Sequence, residues 1–299
     1  MKLFSGTSNL EFSKLVASHL GCGLADASIT RFKDGEVKIN IDENVRGEDC
    51  FIIQSTSRSI CDETSAPYCR SVNDNLMELF ILTDAIKRGS AKSVNLVIPY
   101  YGYQRQDRKD YSRAPISAAV VARFIETLNV NRVMIFDLHA GQISGFFSNN
   151  CPVDNLYAEP YFIKYINDKI DGDFVFVAPD AGAMKTNYRV ATKFGVSTCS
   201  IFKNRTNGII DQMMLIGDVA NKNVIMIDDM IDTGGTICRA ASLLKEKGAK
   251  SINIFVTHGL FSGDALKNIE KSEIDCVVVT NTVPNPSSVF SESSKIKMI

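Results

Sequence analysis

Residues Asn223-Val-Ile-Met-Ile-Asp228-Asp229-Met-Ile-Asp232-Thr233-Gly234-Gly235-Thr236 set both the architecture and the chemistry of this chain. Residues 223–227 are almost wholly apolar and read as a strand buried on both faces. A helical pattern starts at Thr236 and runs through Leu243 and Leu244 to Gly248, so a strand-to-helix turn lies between. Such a turn offers unpaired backbone N–H groups at the helix start. Gly234 and Gly235 let an anion approach them, and Thr233 and Thr236 add hydroxyl donors. Carboxylates repel phosphate, so Asp228 and Asp229, at the carboxyl end of the strand, must serve neutral hydroxyls or a cation. Acid beside an anion nest suggests a sugar phosphate, with vicinal ribose hydroxyls on the acids and the 5-phosphate in the turn. The plainer alternative is that Asp232 or Thr233 caps the helix and the two acids are solvated. An adjacent acid pair on a buried strand is costly without a ligand, which favours the site.

Similar short β-branched runs at 51–54, 94–98, 132–136, 174–178, 252–256 and 276–280 alternate with helical patterns. Strands apolar on both faces, with helices between them, predict an α/β fold of mainly parallel sheets flanked by helices. Asn73 and Asp74 can cap a helix that buries Leu76, Leu79, Phe80 and Ile86, closed by Lys87-Arg88-Gly89. Pro115 fits the first turn of another, ending near Leu128. Residues 148–155 break the periodicity near the midpoint and read as a linker, which predicts two domains, 1–153 and 154–299. Each half carries an apolar strand ending in acid, a weak sign of duplication. Residues 57–72 have no usable period and read as an exposed loop.

Other classes fall away. Asp-Thr-Gly also occurs in aspartic proteases, but those are all-β with a second copy, and there is no Walker sequence or strand-borne dinucleotide turn. Thirty-three basic against 34 acidic residues leave a formal charge of -1, so no global field holds nucleic acid or an anionic membrane. No apolar run is long enough to span a bilayer, and residues 1–6 lack a signal peptide's apolar stretch, so the expected address is the cytoplasm. The eight cysteines are never spaced as C-x-x-C and are best explained as reduced, mostly buried thiols. Only Cys61 and Cys69 are placed to pair, against the commoner reading of two free thiols.

The Asp228-Asp229-x-x-Asp232-Thr233-Gly234-Gly235-Thr236 loop resembles the ribose-phosphate loop of the phosphoribosyltransferase-type fold. Asn73-Asp-Asn-Leu-Met-Glu-Leu79, Arg105-Gln-Asp-Arg-Lys-Asp110, Ser112-Arg-Ala-Pro-Ile-Ser117, Asp137-Leu-His-Ala-Gly-Gln142, Val153-Asp-Asn-Leu156 and Thr257-His-Gly-Leu-Phe-Ser-Gly263 resemble motifs of the ribose-phosphate diphosphokinase family. The resemblance spans nearly the whole chain. It implies two phosphoribosyltransferase-type domains and synthesis of 5-phosphoribosyl 1-pyrophosphate from ATP and ribose 5-phosphate, with magnesium and release of AMP. It also implies a homo-oligomer, hexameric in relatives.

Taken bare, Arg105, Arg108, Lys109 and Arg113 form either a solvated loop or an anion site. The resemblance makes Arg105 and Gln106 ATP contacts, with Asp110 nearby. It makes Phe32, Asp34, Gly35 and Glu36 an adenine-binding turn; an aromatic face for the base and carboxylates for its amine suit that role. His139, otherwise a capped or satisfied core histidine, becomes a magnesium and ATP-phosphate contact. Asp180 carries the hard oxygen magnesium prefers and matches the family's metal-linked acid. Lys203 and Arg205, otherwise surface charges after a strand, match a catalytic pair on a mobile loop.

Some positions depart from the pattern. About a dozen residues within 57–72 are extra, a thermodynamically cheap loop insertion. Ala183 and Ser148 stand where glycine and an acid are common, and Asn44 and Ser144 where Ser and Gln accompany an allosteric phosphate and ADP site. The sequence ends at Ile299, where relatives continue through a tail that helps form that site. Two rivals remain at this stage: a non-catalytic synthetase-associated regulatory subunit, and a phosphoribosyltransferase. The compact stretch from Lys203 to Asp211 and the double-domain length favour the synthetase.

Overall fold

Strands apolar on both faces, joined through helices, build two separate sheets in the computed structural model of the chain. It describes residues 1–58, 70–206 and 209–299, with side chains outside 204–212 and 292. The backbone divides into one unit of residues 1–157 with 282–284 and a second of 158–281 with 285–299.

The first unit runs β1 (Lys2–Ser5), α1 (Leu10–His19), β2 (Ala27–Arg31), β3 (Val37–Ile41), β4 (Asp49–Ile53), α2 (Val72–Arg88), β5 (Ser93–Ile98), α3 (Ser117–Thr127), β6 (Arg132–Phe136) and β7 (Val153–Leu156). Its sheet has the order β1-β4-β5-β6-β7 and is parallel throughout. Strands β2 and β3 form a separate antiparallel hairpin. Ile52, Leu96, Ile98 and Ile135 pack against Leu79, Leu82 and Ile125 of α2 and α3. On a second core, Leu3 and Ile53 meet Phe12 and Ala17 of α1. Ser71 and Asp74 close a reciprocal capping box on α2, so the cap lies two residues before the expected Asn73. Pro115 precedes α3 instead of entering its first turn.

The second unit runs α4 (Glu159–Lys169), β8 (Phe174–Ala178), α5 (Met184–Phe194), β9 (Thr198–Thr206), β10 (Ile209–Ile216), β11 (Asn223–Ile231), α6 (Gly235–Glu246), β12 (Ser251–Gly259), α7 (Ala265–Lys271), β13 (Cys276–Val279), α8 (Ser287–Glu292) and β14 (Ile296–Met298). Its sheet has the order β10-β9-β8-β11-β12-β13-β14, parallel except for β10. Phe162 and Ile166 of α4 and Val190 and Ala191 of α5 share a core with Phe176, Ile225, Ile227 and Phe255. On α6, Ile237, Ala240, Ala241 and Leu244 are buried.

Of the stretch 148–155, read as a linker, residues 148–152 form a turn and 153–155 lie in β7, whose four residues pair along β6. A strand this short and half polar gives little periodic signal. The 57–72 loop and the Cys61 and Cys69 pair fall mostly or wholly on 59–69, outside the described residues. Cys50, Cys151, Cys199 and Cys276 are buried free thiols. Burial pushes Cys50 and Cys151 up to about 11, so they are protonated and unreactive near neutral pH. Among the described residues no helix is long and apolar enough to cross a membrane.

Candidate functional site

Central strand β11 delivers the acids. Its first five residues are buried, and Asp228, Asp229 and Met230 open partly to solvent at its carboxyl end. That is where open α/β sheets bind ligands. The strand runs on to Ile231, so both acids lie within it, Asp228 opposite Val256 of β12. The Asp229 N–H donates to Asp228 Oδ1 at 3.0 Å. Burial, reinforced by the negative charges of Asp229 and Asp180, holds the Asp228 carboxyl well above the ordinary carboxylate range. A group pressed this way gains from a hydroxyl or a cation.

The turn that follows fits an anion. Gly234 is the N-cap of α6 in the left-handed region (φ +73°) and, being glycine, offers no side-chain cap of its own. The N-cap position therefore falls on Gly234 and not on Asp232 or Thr233. An added Cβ at Gly234 meets nothing closer than 3.7 Å, so glycine is required there by conformation, not by space. Asp232 is half-buried, Thr233 exposed, and Gly235 and Thr236 half-buried in the first turn.

Asp180 and Lys203 join this cluster. Lys203 Nζ donates to Asp180 Oδ2 at 3.2 Å with its side chain only 6% exposed, and the Ala183 N–H donates to Asp180 Oδ1 at 3.2 Å. Lys203 is not a surface charge after a strand; it lies within β9, opposite Met213 of β10. Arg205 lies on the same strand opposite Ile210, its side chain outside the described residues.

The remaining candidates belong to the first unit. Arg105, Gln106 and Asp110 are exposed on the loop between β5 and α3, where Asp110 pairs with Arg108 at 2.9 Å. Gln106 accepts a hydrogen bond from Ser117 Oγ, and Gln142 Nε2 donates to Asp107. His139 is exposed, which excludes a core histidine; its backbone N–H donates to Gln104 Oε1 at 3.0 Å, tying it to the same loop. Asp137, two residues before it, has a φ of +37°, an uncommon conformation where the chain leaves β6. Phe32, Asp34, Gly35 and Glu36 form the tip of the β2–β3 hairpin, closed by Phe32 N–H to the Glu36 carbonyl (2.8 Å) with Gly35 at φ +97°. The Phe32 ring is 52% exposed, and Lys38 Nζ sits 5.6 Å from its centroid. Arg31 Nη1 donates to the Gly35 carbonyl and faces Asp74 of α2, which braces the tip.

The second unit thus gathers Asp180, Lys203, Asp228 and Asp229 and leads straight into 232–236. The first carries 32–36, 105–110 and His139.

Residues 1–128 match the model of the N-terminal domain of ribose phosphate pyrophosphokinase, and 189–299 that of the phosphoribosyl synthetase-associated domain. The ribose-phosphate pyrophosphokinase of Campylobacter jejuni is 46% identical over 284 residues, covering 95% of this chain and 87% of that protein. That of Wolinella succinogenes is 44% identical over 299 residues, covering 100% and 91%. The chain belongs to the ribose-phosphate pyrophosphokinase family. The crystal structure of phosphoribosylpyrophosphate synthetase from Mycobacterium smegmatis superposes with a TM-score of 0.89 at 37% identity, covering 100% of this chain and 93% of that one. That likeness confirms the α/β fold with parallel sheets flanked by helices.

Within this pyrophosphokinase frame, two side chains beside the site escaped the sequence reading. Gln104, fully buried, supports the His139 backbone, and Asn187, fully buried, bonds to β11 next to Asp228. The available signal was a polar residue on an apolar helix face: Asn187 shares one face of α5 with Val190 and Ala191.

Proposed function

We propose that this pyrophosphokinase makes 5-phosphoribosyl 1-pyrophosphate and AMP with the residues assembled above, moving the β,γ-diphosphoryl group of ATP to the 1-hydroxyl of ribose 5-phosphate. The observation that carries the reading is the end of β11: two acids, one resisting ionisation, followed within a short turn by a helix start whose N-cap is a left-handed glycine. Asp228 and Asp229 accept the pentose 2- and 3-hydroxyls. The amides at 234–236, with the Thr233 and Thr236 hydroxyls, hold the 5-phosphate, and Asp232 orders the turn. The sugar is then gripped by its far side, and its 1-hydroxyl is free to attack the β-phosphorus.

Phe32, Asp34, Gly35 and Glu36 take the adenine, and Arg105, Gln106 and Asp110 the rest of the nucleotide. Lys203 and Arg205 place positive charge on the bridging and β oxygens as it builds. Lys203, already desolvated against Asp180, is close to the acids without belonging to them.

Asp180 and His139 are assigned to magnesium. Asp180 fits, offering a hard carboxylate oxygen half open to solvent; the exposed His139 imidazole is a softer nitrogen donor, better suited to hydrogen-bond the ATP phosphates that carry the metal. Among the described residues no group of three or more His, Cys, Asp or Glu forms a metal cage. Magnesium needs none, since it keeps waters and binds through one or two side chains plus substrate phosphates. When bound it would supply charge neutralisation at the β and γ phosphate oxygens. A homo-oligomer in the cytoplasm, hexameric by family resemblance, completes the reading.

The test is an assay with ATP, magnesium and ribose 5-phosphate, scored for AMP and phosphoribosyl pyrophosphate, on the parent chain and Lys203→Ala. The parent is expected to form both products, and the variant to lose turnover by orders of magnitude while binding ribose 5-phosphate almost normally. No AMP from the parent at any phosphate concentration would favour a regulatory subunit. A near-normal rate in the variant would reject the role of Lys203.

A further inference from the structure

Asn187 has no place in the reaction as described, yet its contacts tie the sugar-side residues together. It sits near the start of α5 on the face that also buries Val190 and Ala191. A fully buried carboxamide there needs partners for its polar atoms. It finds them on β11. Pairing of β11 with β8 stops at Ile225 opposite Phe176. The Asn223 N–H points to the β8 side, reaching the Asp173 carbonyl at 2.9 Å. Strand alternation turns the backbone groups of Ile225 and Ile227 the same way. Ile227 is buried and two residues beyond the last paired position, so its N–H and C=O lack a strand.

The Asn187 carboxamide takes both. The Ile227 N–H donates to Asn187 Oδ1 at 3.0 Å, and Asn187 Nδ2 donates to the Ile227 carbonyl at 2.7 Å. One side chain thus satisfies both backbone groups that a longer parallel β8 would have paired with two of its residues. The Nδ2 group also donates to the Ala183 carbonyl at 2.9 Å, and the Ala183 N–H donates to Asp180 Oδ1. One side chain therefore spans from the Asp180 turn to the residue immediately before Asp228.

We propose that Asn187 is a positioning residue for the sugar phosphate: by standing in for a strand at Ile227, it sets the direction in which Asp228 and Asp229 leave β11 and their spacing from Asp180. The inference rests on the reading of Asp228 and Asp229 as the acids that hold the pentose diol. It predicts a defect larger for the sugar phosphate than for ATP, because the carboxamide bonds directly to the strand that carries Asp228 and Asp229 and reaches the nucleotide side only through Ala183 and Asp180.

The experiment compares Asn187→Ala, Asn187→Val and the parent by calorimetric titration with ribose 5-phosphate, together with KM for each substrate. Val fills most of the volume and keeps the helix face apolar, so it separates lost packing from lost hydrogen bonds. Both variants should raise Kd and KM for ribose 5-phosphate by about tenfold, with KM for ATP changing less than about twofold. Folded variants that bind ribose 5-phosphate as the parent does, or that weaken both substrates equally, overturn the proposal. A second measurement needs no variant: exchange of the Ile227 amide in the parent should slow when ribose 5-phosphate is added and not when a non-hydrolysable ATP analogue is added. No slowing by the sugar phosphate counts against Asn187 even if both variants fail to fold. Asp229→Asn is titrated alongside; undiminished affinity there would instead remove the reading of the acids on which the inference stands.

Discussion

Asp228 sits where a negative charge is least welcome, on a mostly buried strand beside two other carboxylates. The folded state holds its proton to higher pH than the unfolded chain does. Stability contributed at this site is therefore fully present below the unfolded value of about 4, and falls as pH rises through the raised folded value. Asparagine keeps the shape and never ionises. Asp228→Asn should melt higher than the parent at neutral pH without ligands, with the difference shrinking toward about pH 4, while affinity for ribose 5-phosphate drops. Melting curves across that range and a binding titration check the two halves. A variant no more stable than the parent at neutral pH would show that Asp228 is not strained by its surroundings. The trade between stability and binding is what a functional acid, as opposed to a structural one, leads one to expect.

At the scale of elements, the turn into α6 depends on a backbone conformation that only glycine adopts cheaply. Gly234→Ala forces a side chain into the left-handed region, a cost of about 1–2 kcal/mol that the turn can relieve only by moving its amides. Affinity for ribose 5-phosphate should fall about tenfold or more with KM for ATP unchanged; unaltered affinity would mean that the amides do not hold the phosphate. This turn was legible in the sequence because its chemistry is local: acids, glycines and threonines within nine residues. The strands at 132–136 and 174–178 were legible to the residue, the second because burial on both faces leaves an unbroken apolar run, the first because four apolar residues follow Arg132 with Val133 and Ile135 buried and Met134 and Phe136 half-buried. The β2–β3 hairpin was not, because its alternating residues are half exposed and read as a turn between polar segments. Lys203 looked as if it followed a strand for a related reason. Past Ser200, β9 loses β8 as a neighbour and continues as a two-stranded ribbon with β10 alone, where apolar periodicity fades. Asn187 was out of reach altogether, because its role appears only when α5 is laid beside the unpaired end of β11.

At the scale of the molecule, the residues assigned to the pentose and its 5-phosphate belong to one unit and those assigned to adenine and the Arg105–Asp110 loop to the other, while Lys203, Arg205 and Asp180, assigned to the reacting phosphates and magnesium, share the sugar's unit. With a net charge of -1, neither anionic substrate is gathered by a general field, so each must be recognised by its own local groups. Each ligand should then leave a footprint on separate stretches of chain, which hydrogen exchange of the intact protein can map. Ribose 5-phosphate alone should slow exchange at 180–187 and 226–238, and a non-hydrolysable ATP analogue with magnesium at 32–36, 104–110 and 139–142. Protection by ribose 5-phosphate centred on 32–36 would reverse the assignment of the two units. Protection by the ATP analogue that spares both 104–110 and 139–142 would remove Arg105, Gln106 and His139 from the nucleotide site while leaving the sugar site intact. Adding the two ligands together should give at least the sum of the separate footprints, because the β11–α6 turn and the 32–36 and 104–110 segments are formed without ligand and neither depends on the other's ligand to form.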